Sequence, residues 1–387
     1  MFDEAWRLMR DHYWRPDMGG TDWDGVRSRY RPLVAKIGSH DELIDILWEM
    51  HGELGSSHAY AIAPDASPDP ARRQGLLGAD VQFVDGAWRV GRIVPGESTE
   101  PRARSPLLAP GVAIREGDAI VAVDGRPTGP CAAPGSLLVG TAGKPVELLV
   151  APAAGGEHRR VVVVPLADEV PLRYQDWVAG RRAYVKERTD GRVGYLHLPD
   201  MQSGGWAQLH RDLRIEMMCD GLIVDVRANR GGHTSQLVVE KLARRIVGWV
   251  TARGWEPQSY PADARRGPMV AVCDMFAGSD GDIVVAAIRS LGLGTVVGTR
   301  TWGGVIGIDG LYSLVDGTGV TQPRFAFWFD KFGWAVENHG VDPDVEVQVS
   351  PQDRVAGNDV QLDKAIGIVT RQLREQPPSR PPSIESP

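Results

Sequence analysis

The stretch that most constrains this chain is an apolar run, Met269–Phe276, followed by Ala277-Gly-Ser-Asp-Gly-Asp282 and a second apolar run, Ile283–Leu291. The first run has strand character and the second has helical spacing, so Ser279 is placed where a strand hands over to a helix. At a helix N-terminus the first N–H groups lack partners and the dipole presents its positive end. Chemistry that attacks a carbonyl needs an exposed hydroxyl and donors for the oxyanion, and this turn can supply both. Ser and Asp are also good N-caps, so a plain helix start explains the same residues.

The stretch belongs to a longer alternation. Gly191–Leu198 reads as a strand, Trp206–Met217 as a helix, Gly221–Val226 as a buried strand and Gln236–Val247 as a helix, and Thr295–Gly298 begins another strand. Such βαβα order predicts a sheet with helices packed against it. Residues 1 to about 60 differ, with Phe2, Trp6, Met9 and Tyr13, then Leu43, Ile46, Leu47 and Met50, near helical spacing. This pattern is already under way at residue 2, which reads as a piece of a longer chain or a truncated gene product. Ala63–Arg73 reads as a linker. Between 75 and 167 short β-like runs (Ala79–Phe83, Trp88–Ile93, Ala119–Val123, Val146–Val150 and Arg160–Val164) are separated by Gly, Pro and Asp. That block offers no nucleophile, base or metal cluster and reads as a binding or spacer module. After Leu373 the Pro-rich tail predicts disorder over 374–387. The expected fold is therefore α+β and multidomain: a helical part over 1–65, a β-rich domain over 75–167, an α/β domain over 168–370 and a tail.

Composition excludes several function classes. The net charge of −7 is spread without a basic block, which argues against nucleic acid and against an anionic membrane surface. No window approaches about 18 uninterrupted apolar residues, so no membrane span is expected. Cys131, Cys219 and Cys273 are odd in number and far apart, and read as reduced thiols of a cytoplasmic protein. The acidic N-terminus has no apolar core and does not read as a signal peptide. No HExxH occurs and the histidines are scattered, so neither a metal nor another cofactor is expected.

Three further sites accompany Ser279. Gly231-Gly232 follows the strand ending Asp225-Val-Arg227, and a Gly pair there lets backbone N–H groups approach a ligand, although a simple turn accounts for it as well. Ser57-His58 closes the helical block, where a lone histidine can be merely structural. Glu337 lies in Trp334-Ala-Val-Glu-Asn-His-Gly340, a stretch that can equally be a solvated turn, and His339 beside it competes as a base. A serine nucleophile needs a base, either an oriented histidine or a lysine kept neutral. None of the six lysines falls in Gly298-Thr-Arg-Thr-Trp-Gly-Gly-Val305. The base is then a histidine, and several remain possible.

These motifs carry a resemblance. Asp220-Gly-Leu-Ile-Val-Asp-Val-Arg227, Gly231-Gly232, Ala277–Asp282, Gly298–Val305, Thr321–Trp328 and Val336–Glu346 occur in the order found in the C-terminal half of the tricorn proteases, and Phe2–Trp6 and Ser57-His58 match as well. The resemblance covers residues 1 to about 350. A weaker one links the chain to the carboxyl-terminal processing proteases, which use a Ser-Lys pair; Gly304 stands where their lysine would be.

The resemblance implies that Ser279 is the nucleophile, His58 the general base, and Ser57 and Glu337 the residues that complete a tetrad. It implies an oxyanion hole from the N–H groups of Gly232 and Asp280, a PDZ-like middle domain, and a crotonase/ClpP-like catalytic domain. It further implies a serine peptidase acting on cytosolic oligopeptides downstream of larger proteases, and a homo-oligomer, in that family a hexamer. Family members carry two β-propellers before this region, and no propeller repeat occurs here. They also place an acid in the pocket for the residue before the cleaved bond. Ungapped counting puts Val250 there, which predicts a preference for small or apolar residues unless a loop shift brings in Glu256. Two rivals are a non-catalytic peptide-binding PDZ protein on a degenerate protease scaffold and a crotonase-type acyl-CoA enzyme.

Overall fold

A computed structural model describes the chain except for residues 65–68, 70, 71, 98, 99, 101, 310, 311 and 384–387. The expected linker and the end of the expected tail lie in part outside the described residues.

The chain opens with three helices. α1 (Phe2–His12) buries Phe2, Ala5, Trp6 and Met9, which share one face of a helix. α2 (Trp23–Tyr30) is capped by Asp22, whose carboxylate accepts the Gly25 N–H. α3 (His40–Gly52) begins with a capping box in which Ser39 Oγ accepts the Glu42 N–H and the Glu42 carboxylate accepts the Ser39 N–H. Between the first two helices, the indoles of Trp6 and Trp23 each donate to the other's main-chain carbonyl. The core these helices share takes in Leu314 and Val320 from far downstream. The next strand, β1 (Ala61–Ile62), pairs antiparallel with residues 319 and 320. Burying one large apolar side chain is worth roughly 1.5–3 kcal/mol, so this shared core ties the helical block firmly to the C-terminal part of the chain.

Residues 66–183 form a compact unit of their own. Its strands are β2 (Ala79–Val84), β3 (Ala87–Ile93), β4 (Ala119–Val123), β5 (Arg126–Pro127), β6 (Val146–Ala151) and β7 (Arg159–Val163), with a short helix, α4 (Pro134–Leu137), before β6. They make an antiparallel sheet in the order β2-β3-β4-β6-β7, with β5 hydrogen-bonded to β4. Burial alternates along β6, and Val90, Ile120, Leu148 and Val150 fill the core of this unit.

Residues 1–65 and 184–387 form the other unit, and the boundary falls inside α5 (Val170–Arg188). There follow β8 (Val193–His197), α6 (Ser203–Glu216), β9 (Gly221–Asp225), α7 (Ser235–Leu242), β10 (Gly248–Val250), β11 (Gln258–Tyr260), β12 (Met269–Cys273), α8 (Asp280–Ser290) and β13 (Thr295–Gly298). The chain ends with β14 (Gly307–Asp309), β15 (Gly319–Val320), β16 (Gln322–Phe325), β17 (Val345–Glu346), α9 (Pro351–Ala356) and α10 (Val360–Glu375). The central sheet is parallel, in the order β17-β13-β12-β9-β8. Every residue of β8, β9 and β12 is buried, as parallel strands covered on both faces require. Leu222, Val224, Met269 and Ala271 meet Leu209, Val284 and Ile288 of the helices, while α10 packs against β9, β12 and β13.

Two expected elements are shorter than their apolar patterns. The helix expected to reach Val247 stops at Leu242, because the Val247 N–H bonds Tyr260 O and opens the β10–β11 hairpin. The strand expected to reach Phe276 stops at Cys273, because Asp274 Oδ1 accepts the N–H groups of Ala228 and Phe276 and turns the chain. In the tail, Ser379 N–H bonds Arg266 O at 2.7 Å and Arg380 pairs with Asp220 at 2.8 Å.

Candidate active site

Strand β12 and helix α8 hold Ser279 between them. Its backbone stands at φ 57°, ψ −121°, a region that strains any residue with a side chain, and it directly precedes the first turn of α8. The Asp280 N–H is one of the orphan donors of that turn. Two glycines from the loop after β9 pack against it. A Cβ on Gly231 would lie 2.5 Å from Ser279 Cβ, and one on Gly232 would lie 2.1 Å from Met201 O, so the approach is open to glycine alone. The bridge between this loop and Met201 uses Gly231 O and the His233 N–H, which leaves the Gly232 N–H outside it.

Asn229, wholly buried, joins the two loops. Its Oδ1 accepts the Gly231 N–H at 2.9 Å, its Nδ2 donates to Leu198 O at 2.7 Å, and its main-chain oxygen accepts the Gly278 N–H at 3.0 Å. On the other flank, buried Asp282 in the first turn of α8 accepts the Thr301 hydroxyl and the N–H groups of Gly303 and Gly304. Burial pushes its carboxyl above the usual carboxylate range against those three donors. Trp302, held in the same loop, covers Gly278, whose Cβ would lie 2.7 Å from the indole.

His58 comes from the turn between α3 and β1. Like Ser279 it has a positive φ, 59°. The turn is fixed from the C-terminal side: Thr321 donates its hydroxyl to His58 O and accepts the Tyr60 N–H. The His58 ring is nearly buried and meets Trp302 edge-on at 5.4 Å. Ser57 Oγ lies 3.0 Å from His58 Nδ1 and donates to Glu337 Oε2 at 3.0 Å. Its hydrogen is thus committed to Glu337, so it accepts from Nδ1–H, and the neutral imidazole keeps Nε2 as its free acceptor. Glu337 also accepts the N–H groups of Ser57, Val305 and Ile306. Burial lowers the His58 pKa, and the charge of Glu337 offsets this in part.

His58, Gly232 and Ser279 line one cavity of about 600 Å³. No hydrogen bond joins His58 to Ser279 among the described residues; the cavity brings them to face the same space. Asp280 lies beside it, with its carboxylate on the Ser235 N–H at 3.1 Å. Two sequence candidates lie elsewhere. Val250 sits in the β10–β11 hairpin, half-exposed and outside the lining of this cavity, because that hairpin pairs with itself and not with the Ser279 loops. His339 lines a different cavity and pairs with Asp342 at 3.1 Å. Asn229, Asp282 and Trp302 were not singled out from sequence. A short polar residue two positions before a Gly pair was the available sign for Asn229, as was the second acid of Asp-Gly-Asp for Asp282. Among the described residues no cluster of His, Cys, Asp or Glu could hold a metal ion, and no helix is long and apolar enough to cross a membrane.

Three family models match the chain: the tricorn protease C1 domain over residues 1–52, the tricorn protease PDZ domain over 75–168 and peptidase family S41 over 192–347. The tricorn protease homolog 1 of Streptomyces coelicolor is 65% identical over 99% of this chain and 36% of its own length. The tricorn protease of Thermoplasma acidophilum is 37% identical over 98% of this chain and 36% of its own. A crystal structure of the tricorn protease superposes with a TM-score of 0.91 at 37% identity, covering 97% of this chain and 36% of that one. The chain therefore spans about a third of the length of these relatives. With C1, PDZ and S41 peptidase domains in order and a fold that follows the tricorn structure throughout, it belongs to the tricorn protease family.

Proposed function

We propose that this chain is a serine-type peptidase that cleaves peptides by acyl transfer to Ser279. The observation that carries the reading is the His58–Ser57–Glu337 relay, which leaves Nε2 free as an acceptor in the cavity that Ser279 lines. In this reading Nε2 takes the hydroxyl proton as Oγ attacks the carbonyl carbon, and the N–H groups of Gly232 and Asp280 receive the oxyanion. The imidazolium then gives its proton to the departing amine. Water, deprotonated by the same nitrogen, releases the acyl group and restores Ser279. Glu337, acting through Ser57, stabilises the imidazolium without taking its proton. The parallel sheet with its helices serves as a crotonase- or ClpP-like scaffold. Cytosolic oligopeptides left by larger proteases are the proposed substrates, and a hexamer in the cytoplasm the proposed assembly.

The test is turnover of fluorogenic peptides by the wild-type chain and by Ser279→Ala, with circular dichroism to show that both are folded. Cleavage by the wild type that is abolished in the variant is the expected result. Binding of peptides by both proteins with cleavage by neither would replace this reading with that of a peptide-binding protein.

A further inference from the structure

We infer that the PDZ unit of this chain carries its own ligand: the Glu169 carboxylate holds the main-chain donor at the start of β2, and an extended peptide with a free C-terminus can add to β2 only where Glu169 leaves. The device lies within residues 66–183 and is independent of the chemistry at Ser279.

The start of β2 is shaped to receive a carboxylate. Leu76 and Leu166 exchange main-chain hydrogen bonds at 2.9 and 2.8 Å, which ties the approach to β2 onto the end of the sheet. Gly78 then turns with φ 63°, and its carbonyl accepts the Val94 N–H at 3.0 Å. The Gly78 N–H takes no main-chain partner and donates to Glu169 Oε1 at 2.6 Å, a short, charge-assisted bond. Beyond it β2 is an edge strand that pairs with β3 alone among the described residues, and Phe83 and Val84 on it are exposed. Strand addition at such an edge, with a terminal carboxylate captured by backbone N–H groups, is a general mode of peptide recognition.

The segment that carries Glu169 fills this place by several ties. Glu169 Oε2 accepts Arg173 Nε at 2.7 Å, and Arg173 reaches on to Asp80 Oδ1 in β2 at 3.0 Å. Leu172, wholly buried, packs with Val94, Ala103 and Leu166, and a Cβ on Gly78 would lie 2.8 Å from its side chain. One turn further along α5, Asp176 accepts from Arg92 of β3 at 2.6 Å. A carboxylate on a backbone N–H and an apolar side chain beside it are what a peptide terminus would bring, and Glu169 and Leu172 supply both. A short tether presents its group at an effective concentration of about millimolar or more. A free peptide at micromolar concentration is therefore outcompeted.

The experiment is fluorescence polarisation with labelled hexapeptides ending in Val-Leu, each made as free acid and as C-terminal amide. All proteins are full chains carrying Ser279→Ala, so that no peptide is consumed. The readout is the ratio of acid to amide affinity, compared with that of the Ser279→Ala parent, so binding elsewhere on the chain cancels. Glu169→Ala frees the Gly78 N–H and should raise the ratio by about tenfold. Glu169→Gln keeps the size of the side chain, loses its charge and should raise the ratio by a smaller factor. Glu187→Ala, which removes an exposed acid from the same helix, should leave the ratio unchanged. Circular dichroism shows which variants are folded, and Glu169→Gln decides the matter if Glu169→Ala is not. A ratio unchanged in the folded Glu169 variants would make Glu169 a plain anchor for α5 and overturns the inference. An equal rise in Glu187→Ala would trace the effect to net charge and overturns it too.

Discussion

Ser57 and Glu337, 280 residues apart in sequence, are joined by two hydrogen bonds: main-chain N–H to Oε1 at 2.7 Å and hydroxyl to Oε2 at 3.0 Å. With the Val305 and Ile306 N–H groups on Oε2, the carboxylate has four donors around it. Glutamine matches its shape but turns an NH₂ group towards at least one of those donors and removes the charge that steadies an imidazolium. Glu337→Gln should therefore lower kcat by about 10²- to 10⁴-fold with little change in KM. Steady-state kinetics with circular dichroism checks this; a loss confined to KM would mean that Glu337 serves substrate binding.

The pH dependence follows from His58. Burial favours the neutral ring and Glu337 opposes it in part, and the net pKa lies below the ordinary 6.5. A base must be neutral to act, so the midpoint of the acid-side decline in activity should lie below 6.5. In Glu337→Gln the supporting charge is gone, and the residual activity should fall at a still lower pH. The pH profile of kcat/KM for both proteins is the measurement. A midpoint at or above 6.5 in the wild type contradicts the assignment.

The sheet was legible in the sequence because parallel strands buried on both faces leave unbroken apolar runs, as at Met269–Cys273 and Gly221–Asp225. The Ser279 turn was legible for the same reason, since a strand run and a helix run meet there. Where the apolar run outlasted the element, a hydrogen bond from outside the run had ended it, from Val247 to Tyr260 in one case and from Ala228 onto Asp274 in the other. The pairing of Ser57 with Glu337 has no local signal and came from the family resemblance. Asn229 and Trp302 escaped notice because their roles lie in contacts with Gly231, Gly278 and His58, which no spacing rule encodes. Val250 comes from counting along the chain, and it lies in the β10–β11 hairpin outside the lining of the Ser279 cavity.

Asn229 should act on rate as well as on stability. Its side chain is a strut between Leu198 O and the Gly231 N–H, and its main-chain oxygen holds the Gly278 N–H. Asn229→Ala leaves two buried main-chain groups without partners, at about 1–3 kcal/mol for each. It also frees the loop that carries Gly232, the proposed oxyanion donor, to drift from Ser279, and a lost oxyanion donor costs about 10²- to 10³-fold in kcat. Urea unfolding and kinetics on the same preparation separate the two effects. A stability loss with unchanged kcat would make Asn229 a purely structural residue.

His51 sets a limit on acid tolerance. It lies on the buried face of α3, completely inaccessible, and among the described residues neither ring nitrogen has a hydrogen-bond partner. Burial pushes its pKa down to about 4, and the Ala59 main chain offsets this slightly without meeting hydrogen-bond geometry. The fold therefore holds the neutral ring, whereas the unfolded chain takes up a proton near 6.5. Stability is fully present above 6.5 and drains away as pH falls towards 4, by about 3 kcal/mol in all. Leucine at this position has no proton to take up. Between pH 7 and pH 4 the unfolding free energy of His51→Leu should thus fall by about 3 kcal/mol less than that of the wild type, whatever the offset between them at pH 7. Denaturant titrations at several pH values give both curves, and parallel curves would show that the ring is already charged or solvated in the folded state.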